Sequence, residues 1–153
     1  MINDRAPGAD NVRFTMRREN GEVEVYTAHN LWVASGRELY TERATIDDGT
    51  EPDPLRYIAV GSDETAPADD QTALISEGYR KQLDETPTVT GQVAYHKVTL
   101  EPGEATGTIA EAGLFNAGTD GVMGNRVTHS PIPKGPNDSL TIEIELDLRE
   151  IQA

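Results

Sequence analysis

The chain has no cysteine, only three lysines, eight aromatic residues and no long apolar run. Without cysteine there is no disulfide framework and no thiol chemistry. No stretch approaches the roughly 20 apolar residues of a bilayer span, so membrane insertion is not expected. The opening segment, MINDRAPGADN, lacks the apolar core of a secretory signal, and none is expected. Against 27 acidic residues stand 13 basic ones, a formal net charge of −14. Such a field repels phosphate backbones and anionic lipid, so neither nucleic acid nor a membrane surface is an expected partner. Scarce lysine beside abundant Asp and Glu points to a halophilic host. In molar salt the Debye length falls to about 3 Å, self-repulsion is screened, and a carboxylate-coated surface stays hydrated.

What is present reads as one domain of short strands between turn signals, of a length that can bury a core. Segments 12–18 and 22–28 flank Asn20-Gly21, a hairpin cue. In the second segment Val23 and Val25 alternate with Glu22, Glu24 and Tyr26, which predicts the valines inside. The helix candidate is 35–45, where Ser35 and Glu38 have the spacing of a capping box. Residues 55–61 read as a strand and 62–71 as turns. Residues 72–83 read as a short strand or a helical turn, with Gly78 opposing a continuous helix. Residues 87–100 read as one long strand with a possible bulge at Gly91.

The clearest pattern is C-terminal. Leu140, Ile142, Ile144, Leu146 and Leu148 fall on one face, with Thr141, Glu143, Glu145, Asp147 and Arg149 on the other. The expected fold is mainly β: an antiparallel sandwich or flattened barrel with one short helix. The expected organisation is an N-terminal hairpin or arm over 1–27, a possible assembly contact, and a module over 28–153, compact overall.

Candidates for chemistry are sparse. His29, His96 and His129 are isolated in sequence, without the spacing that puts two imidazoles on one metal. Acids cluster at Asp47, Asp48, Glu51 and Asp53, and at Asp63, Glu64, Asp69 and Asp70, without the ligand spacing of an EF-hand. No serine sits in a nucleophile elbow, and no phosphate-loop signature occurs. Trp32, in the apolar run LWVA, reads as core. No catalytic residue, metal or cofactor is therefore expected. Glu111, Arg80 and Arg126 remain. Glu111 lies among apolar neighbours, where a carboxylate is costly unless paired. The expectation is a structural ion pair, with Arg80 the first choice of partner and Arg126 the second.

The order of segments carries a resemblance. HNLWVASG, YIAVGSDETAP, TALISEGYR, GEATGTIAEAGLF and PIPK occur in succession over about residues 28–148. This resembles virion proteins of tailed bacteriophages and tailed archaeal viruses, most of all the tail-collar fibre type of module. Two positions depart from that pattern: Asp63 stands where a second glycine is usual, and Thr106 replaces an Asn. The resemblance implies a non-enzymatic building block that assembles as a ring or trimer with other virion proteins. It would anchor a tail-tip, baseplate or fibre component. A capsid-surface decoration or turret protein, or a receptor- or carbohydrate-binding module, are the alternatives. The composition adds a haloarchaeal host.

Overall fold

The structure is a computed structural model and describes residues 9–150; the opening segment read for a secretory signal lies largely outside them. In chain order the strands are β1 (Val12–Arg17), β2 (Val23–Ala28) and β3 (Leu31–Trp32), then helix α1 (Ala34–Thr45). Next come β4 (Tyr57–Gly61), β5 (Glu77–Gln82), β6 (Thr88–Thr90) and β7 (Val93–Leu100). The chain ends with β8 (Gly107–Phe115), β9 (Asn125–Lys134), β10 (Ser139–Asp147) and a 3-10 turn, Leu148–Glu150. One sheet has the order β2-β1-β10-β7-β6 and the other β3-β9-β8-β4-β5, every pairing antiparallel. Two five-stranded sheets face each other as a β-sandwich.

The alternation read in the C-terminal segment builds the core. Leu140, Ile142, Ile144 and Leu146 are all buried on β10, the central strand of the first sheet. They pack with Phe14 and Met16 of β1, Val98 and Leu100 of β7, and Ile109, Ala112, Leu114, Val127 and Ile132 from the second sheet. Each such aliphatic side chain contributes about 1.5–3 kcal/mol of burial. The pattern stops earlier than expected: Leu148 begins the 3-10 turn and is exposed. At the other face, Glu145 and Asp147 are buried rather than wet.

The N-terminal segment is no appendage over its described residues. β1 lies between β2 and β10, with Val12, Phe14 and Met16 fully buried. The hairpin forms, but the inward face of β2 is the opposite of the expected one. Register pairs Met16 with Glu24, Phe14 with Tyr26 and Val12 with Ala28. Directly opposite residues share a face, so Glu24 and Tyr26 turn inward while Val23 and Val25 stay exposed. Arg18 meets the inward Glu24 at 2.6 Å and Asp138 at 2.9 Å, and the Tyr26 hydroxyl donates to the same Glu24.

Two further expectations change. The capping box is absent: Val33 occupies the N-cap, and the Ser35 hydroxyl donates to the Met123 carbonyl at 2.7 Å. Segment 87–100 is a hairpin of β6 and β7, in which Gly91 takes φ +59° at the turn. That left-handed backbone suits glycine, and the turn replaces the expected bulge. Of the two readings of segment 72–83 the short strand holds, as β5, preceded by a loop.

Candidate functional site

The second sheet is covered on both sides. Its inner face meets the first sheet. Its outer face carries a smaller cluster of Val33, Ala59, Leu74, Phe115 and Met123, with Leu74 supplied by the loop between β4 and β5. That loop has no regular structure from 62 to 76 and so brings backbone groups that need partners.

Glu111 and Arg126 supply them. Glu111 on β8 lies directly opposite Gly61 on β4. A Cβ at Gly61 would fall 2.5 Å from Glu111 Oε1 and 2.3 Å from the Ser76 carbonyl oxygen, so only glycine leaves room there. Through that gap the carboxylate accepts the backbone N–H of Ser76 at 2.7 Å and that of Ile75 at 3.1 Å. Arg126, on the neighbouring strand β9, donates from Nε to Glu111 Oε2 at 3.0 Å, and its Nη2 lies 2.8 Å from the same oxygen. Both side chains are fully buried.

The rest of the guanidinium reaches the same loop. Nη1 donates to the Thr65 carbonyl at 2.7 Å and to Gln71 Oε1 at 3.3 Å, and Nη2 lies 3.5 Å from Asp63 Oδ1. Asp63 also accepts the Thr65 N–H at 2.7 Å. Its bonds to Thr65, with Arg126 nearby, hold its carboxyl below the usual range. Asp63 thus closes its own turn and faces the arginine.

The loop is also tied to α1. Arg37 grips Asp69 with two bonds, at 2.7 and 2.9 Å, and the Ala34 N–H donates to the Asp69 carbonyl at 2.9 Å. The result is a brace in which one buried ion pair fastens an irregular segment to a sheet.

Arg80, the expected first partner of Glu111, is elsewhere. It pairs with Glu77 at 2.7 Å, donates to the carbonyls of Ala117 and Asp120, and lies over the Phe115 ring at 3.8 Å. It fastens the 116–121 loop as Arg126 fastens the 62–76 loop. Arg80 shares the outer face of the sheet with Glu111, but it lies opposite Ala59, two residues along β4 from the Gly61 that faces Glu111.

The Glu111 carboxylate is engaged from within the chain. Two backbone N–H groups and two guanidinium nitrogens surround the Glu111 carboxylate. Three of these contacts fall on Oε2 and one, from the Ser76 N–H, on Oε1, so groups of the chain itself take up most of the carboxylate's acceptor capacity. The acid clusters have local roles of the same kind: Asp48 accepts from Thr50, Glu51 from Gly49, and Asp69 from Arg37.

The histidines lie apart. His29 is exposed beside Glu150, at 3.5 Å. His129 lies against Phe14 with ring centroids 4.2 Å apart, and burial lowers its pKa. His96 is almost wholly buried, which pushes its pKa down to about 4. Among the described residues no three His, Asp or Glu side chains group as metal ligands. Trp32 is core, edge-on to Tyr40 with centroids 5.0 Å apart, its indole N–H donating to the Asp147 carbonyl.

Sequence reasoning missed Gly61, Ile75, Ser76 and Gln71 as parts of the brace. The signal for Gly61 was a glycine ending an apolar strand; the others contribute through backbone or loop position. Comparison of the chain with protein-family models, with curated proteins and with solved structures finds no match.

Proposed function

We propose that the chain is a non-enzymatic structural protein of a tailed-virus particle. It assembles with copies of itself and anchors a tail-tip, baseplate or fibre component in a haloarchaeal virus. The observation that carries this reading is where the segments of the resemblance meet. Gly61 of YIAVG, Ile75 and Ser76 of TALIS and Glu111 of EAGLF meet at the Glu111–Arg126 brace, and Leu74 and Phe115 of the same segments pack together in the apolar cluster of that sheet face. The residues that carry the family pattern therefore serve the rigidity of a module.

Self-assembly draws support from the edge of the first sheet. β2 is a six-residue edge strand whose outward side chains are Val23, Val25 and Thr27, and both valines are more than half exposed. Edge strands are normally blunted by charge, proline or shortness, because their unpaired backbone groups invite another strand. In molar salt, repulsion between copies carrying −14 each is screened, and apolar contact gains weight.

The test is immunogold electron microscopy on purified particles with antibody against this chain, followed by mass spectrometry of the same particles. Gold at the tail end is the expected result. Gold over the head would replace this reading with a capsid-decoration role, and absence from the particle by both methods would overturn it.

A further inference from the structure

A pocket of about 200 Å³ opens between α1, the segment leading into β4, and the β6–β7 hairpin. Its walls are mainly apolar: Leu39, Tyr40, Leu55, Pro87 and Val89, with the buried His96 behind them. Val89 faces the same side as Ala94 opposite it and is 72% exposed, an unusual state for a valine at the lip of an apolar cavity.

The charge lining is the reverse of the molecule's. Among 27 acidic residues in the chain, none lines this pocket, whereas Arg43 and Arg56 both do. Neither arginine has a carboxylate within ion-pair distance among the described residues. Arg43 donates to the Pro52 carbonyl at 2.7 Å and Arg56 to the Leu55 carbonyl at 3.0 Å. Of the other arginines among the described residues, Arg18, Arg37, Arg80, Arg126 and Arg149 are paired. Arg13 and Arg17, also without an ion pair among the described residues, lie exposed on β1 and do not line this opening. Two unpaired guanidiniums at one apolar opening, in a protein of net charge −14, match an occupant that joins an apolar group to a carboxylate.

Size and position narrow the occupant. Small-molecule sites usually begin at about 300 Å³, so this cavity suits one branched side chain rather than a whole ligand. At its lip runs β6, the edge strand of the first sheet, with all three residues exposed. An edge strand beside a side-chain pocket is the geometry of recognition by strand addition.

We infer that the β6 edge and this pocket together form a docking site for an extended segment of a partner protein. The segment adds to the sheet beside β6, inserts an apolar side chain beside Val89 and Tyr40, and presents a carboxylate to Arg43 and Arg56. The choice of a protein over a free small molecule rests partly on the assembly reading above.

The test is an NMR titration of the full ¹⁵N-labelled chain with blocked hexapeptides of alternating Thr and Val. The centre of each peptide carries Leu-Thr-Asp, Leu-Thr-Asn or Leu-Thr-Lys, which puts the leucine and the variable side chain on one face of the strand, and isovalerate is the free-acid control. Shifts should centre on Thr88–Thr90 and Ala94. The Asp peptide should bind about tenfold tighter than the Asn peptide, the scale of one charge-assisted hydrogen bond. The double variant Arg43→Gln/Arg56→Gln should cut that preference to less than about twofold. Val89→Ser, an exposed change that leaves the core intact, should weaken every peptide. Equal binding of the Asp and Asn peptides, shifts centred elsewhere, or no binding up to roughly 5 mM would overturn the proposal. Isovalerate binding as tightly as the Asp peptide would overturn the protein partner in favour of a small carboxylate. None of these results bears on where the chain sits in a particle, so the two readings fail independently.

Discussion

The two faces of the second sheet solve the same covering problem with different chemistry. On its inner face the apolar Ile58, Val60, Ala112, Leu114 and Val127 meet another sheet, with the His129 ring packed against Phe14. On its outer face, Glu111 and Arg126 are buried beside Ala59, Leu74 and Phe115. The difference lies in what does the covering. A sheet arrives with its backbone bonds already made, so side chains need only fill space. The 62–76 loop arrives with free N–H and C=O groups, and buried ones must be matched. A carboxylate that accepts and a guanidinium that donates match both kinds at once, and each stabilises the other's charge. A buried ion pair is weak evidence for net stability when compared with an apolar substitute. Here an apolar pair would leave the loop's amides and carbonyls unsatisfied.

That contrast can be attacked most directly at Arg126. Arg126→Met leaves an unpaired buried carboxylate and is expected to cost about 3–5 kcal/mol in denaturant melts in high salt. Adding Glu111→Leu should recover part of the loss, while the 62–76 amides exchange faster and the β10 amides stay protected. If the double variant protects the loop as the wild type does, the brace has no special part in holding it.

The inner side has its own titratable intruder, His96. Its pKa is depressed from 6.5 to about 4 by burial. Between those values the unfolded chain binds the proton and the folded chain does not, so stability falls as pH drops through that window. The loss should total about 3 kcal/mol at pH 4. His129, depressed in the same direction, adds to it. His96→Leu should flatten much of the slope in melting temperature between pH 6.5 and 4. An unchanged slope would assign the acid sensitivity to other groups.

Space at the brace gives a smaller effect. Gly61→Ala places a methyl against the Ser76 carbonyl and the Glu111 carboxylate and should cost about 1–3 kcal/mol. Gly78→Ala, with nothing within 4 Å of the new carbon, should stay within about 0.5 kcal/mol. Equal melting temperatures for the two variants would remove the steric argument for Gly61. The smallest effect belongs to β2, where Val25→Thr on the exposed face should change monomer stability by less than about 0.5 kcal/mol. Light scattering of the same variant in molar salt should nonetheless show weaker self-association.

Much of this protein was legible without coordinates. Period-2 alternation in 139–147 places β10 and its core face, because side chains on a strand alternate whatever the neighbours are. The Asn20-Gly21 turn, the helix near 34–45, the core position of Trp32 and the burial of Glu111 in a structural pair follow from local chemistry in the same way. Tertiary structure decided what depends on register and on distant partners. Val23 and Val25 look like the inner face of β2 until Phe14 and Met16 of β1 set the phase, since pairing fixes which residues share a side. Arg126 rather than Arg80 meets Glu111, because β9 lies beside β8 and places its arginine within reach of the carboxylate, while Arg80 sits two strands away on β5. The need for the ion pair at all comes from a loop whose backbone groups, invisible in any one-letter code, must find partners when it folds over the sheet.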